Sequence, residues 1–164
     1  MLRSVASAAA LSAIALSSAM TGAGAQTNRD VVGTWALVSA VAQQGGARTD
    51  VFGPDPSGTL VFGGDGRYLL IFLRGDLPKF ASNNRASGTP DENKAVVQGS
   101  IAHFGTYSVD KAGKTLTFRI ESSTFPNWTG AEQRRDMALS GDRLTYTSPG
   151  SAGAATQVTM RRVK

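Results

Sequence analysis

The chain has 164 residues, a formal net charge of +5 from 17 Lys and Arg against 12 Asp and Glu, one histidine and no cysteine. That length suits one domain, and the missing cysteine excludes disulfides, thiolate metal sites, a cysteine nucleophile and a lipid-modified N-terminal cysteine. The basic residues are scattered and cluster only in the last stretch, where Arg161, Arg162 and Lys164 fall within four positions, so the chain lacks the basic stripe interleaved with aromatics that a nucleic-acid surface needs.

Residues 1–25 read as a secretory signal peptide. Arg3 supplies the positive start, Val5 to Met20 the apolar stretch, and Ala23-Gly24-Ala25 a small-residue cleavage site before Gln26. The stretch is too short and too rich in Ser and Gly to span a bilayer stably. The expected product is a periplasmic or secreted chain of about 139 residues and about +4 charge, with no integral membrane segment. It is large enough for a single core without staples.

Gln26 to Asp30 is a polar lead-in. Val32 to Val41 is the first predicted strand, with Trp35, Leu37 and Ser39 on one face and Ala36, Val38 and Ala40 on the other. Gln43 to Pro56 is rich in Gly, Asp and Pro and reads as a loop. Thr59 to Phe62 and Arg67 to Leu73 form a hairpin around Gly63-Gly64-Asp65-Gly66. With Gly66 in the left-handed bulge position, Phe62 faces Tyr68 and Leu60 faces Leu70, so Leu60, Phe62, Tyr68, Leu70 and Phe72 share the lumenal face.

Gly75 to Ser100 interrupts the strand rhythm. Within it, Thr89-Pro90-Asp91-Glu92 announces a helix: Thr89 is the N-cap, Glu92 completes a capping box and Pro90 takes the first helical position. The helix runs to about Gln98, stops at Gly99, and has too thin an apolar face to do more than lie over the sheet. Ala102 to Val109 and Thr115 to Glu121 form a second hairpin around Asp110-Lys111-Ala112-Gly113. A four-residue loop there pairs Tyr107 with Leu116, Gly105 with Phe118 and His103 with Ile120. Phe125-Pro126-Asn127-Trp128 is an aromatic loop. Gln133 to Leu139, Arg143 to Thr147 and Gln157 to Val163 are the last three strands, with a Gly/Ala loop from Ser148 to Ala155.

About eight short alternating runs predict an all-β protein whose sheet escapes its exposed edges by closing into an eight-stranded antiparallel barrel. Its one helix lies in an insertion between the third and fourth strands. Gly33-Thr34-Trp35 opens the sheet and Met160-Arg161-Arg162-Val163 closes it, so Trp35 is expected to seal one barrel end with Arg161 or Arg162 across its face. A barrel of this size has an interior just wide enough for side chains or one small ligand.

Several blocks in this order carry a resemblance. They are Gly33-Thr34-Trp35-Ala36-Leu37-Val38, Phe52-Gly53-Pro54-Asp55-Pro56-Ser57-Gly58-Thr59-Leu60 and Asp65-Gly66-Arg67-Tyr68. Arg74, Lys79-Phe80-Ala81, Gly99-Ser100-Ile101-Ala102, Phe104-Gly105-Thr106-Tyr107 and Phe125-Pro126-Asn127-Trp128 follow. Over nearly all of Gln26 to Lys164 the chain resembles the lipocalin-like domain family of small secreted bacterial and fungal proteins. The resemblance implies a calycin-type β-barrel and no particular chemistry, since barrels of this shape host unrelated functions.

Motifs for chemistry are sparse. His103 is the only histidine, and a histidine metal centre needs two or three imidazoles or compensating carboxylates at suitable spacing. A lone lumenal histidine is first a hydrogen-bonded core residue, and it is also able to act as a general base. Gly-x-Ser-x-Gly does not occur, and Gly150-Ser151-Ala152-Gly153 is a flexible loop. Gly63-Gly64-Asp65-Gly66 joins two strands and lacks the Lys-Ser/Thr of a phosphate loop. Asp91 and Glu92 are first-turn helix acids, and Asn127-Trp128-Thr129 is a chance match to a glycosylation acceptor. No cofactor or metal is expected. The segment holding Lys79-Phe80 and Asn83-Asn84-Arg85 is an aromatic-bearing insertion near a barrel mouth, suited either to contact a ligand or to plug the barrel with Phe80.

Three readings follow. The first is a barrel that binds a small, partly apolar molecule, with Tyr68, Phe72, Arg74, His103, Tyr107 and Phe118 on or near the lumen and Phe80 and Trp128 at the rim. The second is an isomerase or cyclase in which His103 or Tyr107 shuttles a proton. The third is a packed envelope protein with a partner-binding surface. A lumenal cavity larger than a few waters separates the first two from the third.

Overall fold

The computed structural model describes residues 27–164, and the expected signal peptide lies outside the described residues. A helical turn, α1 (Asn28–Val31), leads into β1 (Gly33–Gln44). Then come β2 (Ala47–Asp50), β3 (Ser57–Phe62), β4 (Arg67–Leu73), α2 (Pro90–Gln98), β5 (Ser100–Val109) and β6 (Thr115–Ser123). The last three strands are β7 (Glu132–Ser140), β8 (Arg143–Ser148) and β9 (Thr156–Arg162). Strands β1 and β3 to β9 form one antiparallel sheet in sequence order, and β1 pairs with β9 from Trp35 opposite Arg162 to Ala42 opposite Thr156. That last pairing closes an eight-stranded barrel, so each ring strand has a paired neighbour on both sides. No helix among the described residues is long and apolar enough to cross a membrane.

Period-two patterning positions the core. Along β4, Tyr68, Leu70 and Phe72 are buried, while Leu69 and Ile71 face out. The β3–β4 hairpin has the expected register, Phe62 opposite Tyr68 and Leu60 opposite Leu70, with Gly66 at φ +82°. Helix α2 also forms as its caps predict. The Thr89 side chain accepts from Glu92 N–H at 3.2 Å, and the Glu92 carboxylate accepts from Thr89 N–H at 2.8 Å. None of its residues is buried, so it rides on the barrel exterior.

Three expectations are corrected. Gln43–Pro56 is not loop throughout. Gly45 and Gly46, at φ +57° and +83°, make a tight turn that lets β2 pair back onto the end of β1. Nor does β1 keep one phase: Leu37 pairs with Met160 but Ser39 with Thr159, so Val38 is an extra, outward residue. Beyond this bulge Ala40, rather than Ser39, faces the core. The β5–β6 register is also shifted by two, with Tyr107 opposite Phe118 and Gly105 opposite Ile120, and beyond a bulge at Glu121 His103 lies opposite Ser123 rather than Ile120. The Asp110 carboxylate accepts from the Lys114 and Thr115 N–H groups at 2.8 and 3.1 Å, which moves the four-residue loop to 111–114. Two-residue alternation along β5 still turns His103 and Tyr107 inward, as expected.

Candidate functional site

One end of the lumen is sealed. Trp35 is fully buried, and its indole N–H donates to the Val31 carbonyl at 2.8 Å, which fixes α1 beneath the barrel. The Arg162 guanidinium lies 4.2 Å from the centroid of the Trp35 ring, as the first and last strands predict. It also donates to the Val32 and Asp30 carbonyls at 2.7 and 2.6 Å. Gly33 is required here: it sits at φ +129°, and a Cβ on it would come within 3.0 Å of Arg162 Nη1. These contacts account for the Gly-x-Trp opening in physical terms.

The middle of the lumen is filled by rings. Phe62 and Tyr107 lie 4.5 Å apart between centroids, as do Tyr68 and Phe118, the latter edge to face. The Tyr107 hydroxyl donates to the Gly63 carbonyl at 2.9 Å. Above this layer a 2.8 Å hydrogen bond joins the Tyr68 hydroxyl to His103 Nδ1. His103 is buried, and desolvation followed by the nearby Arg135 charge lowers its pKa from 6.5 to about 3. The imidazole is therefore neutral at physiological pH. Burial also raises the Tyr68 phenol above its ordinary value.

At the other end the core opens into a small cavity of about 40 Å³. Phe72, His103, Trp128, Arg135, Tyr146 and Ser148 contribute to its wall, and Phe52 and Ile101 stand beside them. With each water needing roughly 10–15 Å³ on this measure, the space admits about three waters or one small polar group. Arg135 is the unusual member. On β7 the inward residues are Gln133, Arg135 and Met137. Arg135 keeps 2% of its surface exposed, and its guanidinium lies 4.4, 5.3 and 5.9 Å from the ring centroids of Phe118, Tyr146 and Trp128. It donates to Gln133 Oε1 at 2.6 Å, while its Nε and the Tyr146 hydroxyl have no hydrogen-bond partner. The two groups sit close enough for Tyr146 to favour the guanidinium's charge, although no bond of good geometry links them. Burial pushes the Tyr146 phenol up to about 12, against the opposing pull of Arg135, and draws Arg135 down from its ordinary value.

The structure brings together most of the residues expected from sequence. Phe72, His103 and Trp128 line the cavity, and Tyr68 and Phe118 stand directly behind them. Tyr107 is lumenal but belongs to the layer nearer the sealed end. Arg74 and Phe80 are apart from the site. Strand β4 ends at Leu73, so Arg74 leaves its phase and forms a half-exposed two-point ion pair with Asp76 at 2.8 Å. Phe80 packs on Gly88 inside the 75–99 insertion, where a Cβ on Gly88 would collide with its ring, and it neither plugs nor lines the lumen. The insertion is tied to itself, with the Glu92 carboxylate accepting from Ala81 N–H at 2.8 Å. Sequence reasoning missed Arg135, Gln133 and Tyr146. The signal for the first two was the inward phase of Met137, which two-residue periodicity carries back to positions 135 and 133.

Comparison with curated proteins finds no match. A family model described as a lipocalin-like domain matches residues 32–163, from just before β1 to just past β9. The matched span includes the sealed end, the ring-filled middle and the cavity. The chain belongs to the lipocalin-like domain family.

Proposed function

We propose that this chain works outside the cytoplasm as a barrel that binds a small, partly apolar molecule at the open end of its lumen. The observation that carries the reading is a cavity at one end of an otherwise filled and sealed barrel, with aromatic walls and a few placed polar groups. The leader expected from residues 1–25 supports the location. At about 40 Å³ the cavity is no larger than a few waters, so its size does not itself separate binding from a packed barrel, and it does not enclose a whole drug-sized ligand, which needs about 300 Å³ or more. It takes the polar head of one, with the apolar remainder against Phe52, Phe72 and Ile101. Binding fits the site better than proton transfer does. A general base works best with a pKa near the working pH, and His103 at about 3 is far below it.

Native mass spectrometry of the purified protein, followed by titration of aromatic acids, fatty acids and plain alkanes against tryptophan fluorescence, tests the proposal. Saturable binding by a polar-headed class, weakened at least tenfold by filling the cavity with Ser148→Leu, is the expected result. Equal binding of alkanes would contradict it, and no binding by any class would leave a packed structural barrel.

A further inference from the structure

We infer that the cavity is a site for a small monoanion, a carboxylate on a short apolar or aromatic group, with Arg135 as its counter-charge. The inference rests on the binding proposal above and names its ligand class. Arg135 is buried, lines the cavity and takes part in none of the ion pairs found among the described residues. Its surroundings are the rings of Phe118, Tyr146 and Trp128 and the amide oxygen of Gln133. Ring faces and one amide oxygen compensate a guanidinium only in part, and buried charges in folded proteins are paired. The missing partner is therefore an anion from outside the chain.

The neighbours set its charge and shape. His103 is neutral, and Tyr68 and Tyr146 keep their protons, so one positive charge faces the cavity and one negative charge neutralises it. A guanidinium presents a planar fork that matches a carboxylate. The unbonded Tyr146 hydroxyl offers a further donor beside it. The cavity volume of about 40 Å³ suits the carboxylate itself, leaving the attached group to meet Phe52, Phe72 and Ile101.

Matched acids and amides test this: formate, acetate and benzoate against formamide, acetamide and benzamide, each titrated by calorimetry and by thermal shift. The expected result is that benzoate binds at least tenfold tighter than benzamide. Arg135→Met should lose that preference while raising the ligand-free melting temperature, because it removes an unpaired buried charge. Equal binding of acid and amide to the wild-type protein would overturn the monoanion inference and leave the binding proposal standing. Failure of all six would overturn both. Should Arg135→Met fail to fold, Arg135→Lys retains the charge without the fork, and a drop of at least fivefold in benzoate affinity is expected. An unchanged affinity there would also count against the assignment.

Discussion

Burial holds the His103 imidazole at about 3 against an ordinary 6.5, and the sign of its effect on stability follows directly. Above pH 6.5 native and unfolded chains are both neutral at this residue. As pH falls below 6.5 the unfolded chain takes up a proton that the native barrel refuses. Stability then drops by about 1.4 kcal/mol per pH unit until the native imidazole itself protonates near 3. Denaturant titrations of wild type and His103→Gln at pH 7, 5.5 and 4.5 should diverge steadily toward acid, and parallel curves would refute this. At the sealed end, Trp35→Ala should cost about 3–5 kcal/mol, as for other buried aromatics. Arg162→Met removes two short bonds to carbonyls together with the contact over the ring, and should cost about 2–4 kcal/mol. Chemical denaturation midpoints check both values. This end was legible because glycine, tryptophan and a strand-borne arginine have few ways to meet. Arg135 was not, because a charged residue in a mixed run such as Gln133-Arg134-Arg135-Asp136 is first assigned to solvent.

At the scale of elements, local chemistry decided which boundaries were readable. The caps of α2 fall where Thr89, Pro90, Glu92 and Gly99 put them. Thr89→Ala should loosen that helix by about 1 kcal/mol. Hydrogen exchange should then quicken across residues 79–98 and leave β4 and β5 unchanged, and faster exchange in the barrel would show that the insertion braces the sheet. The bulge in β1 gave no warning, because Ala36, Val38 and Ala40 are all apolar and either phase reads equally well. The β5–β6 register depended on whether Asp110 ends the strand or enters the turn. Its side-chain bonds to Lys114 and Thr115 settle that, and no periodicity reports them. The partner strand supplies a check at Gly105, where a Cβ would run into the Arg119 carbonyl. Gly105→Ala should lower stability by about 1–3 kcal/mol through that overlap, measurable as a fall in melting temperature with the fold retained.

For the whole molecule, the closing pair β1–β9 is the contact that turns a sheet into a vessel, and it was legible as matched first and last strands. The degree of filling was not, since it depends on how the rings of Phe62, Tyr68, Tyr107, Phe118 and Tyr146 tilt against one another. The same closure sets an order of events during synthesis. Arg162 bonds to the carbonyls of Val32 and Asp30 across 130 and 132 positions of chain. While the ribosome has yet to deliver Arg162, Trp35 has no cover and β1 has a bare edge opposite β9. Nothing along the way offers a finished sub-barrel, and contacts of such long sequence separation form slowly. Hairpins between neighbouring strands are able to form early, but the ring itself closes only once the last strand has been made.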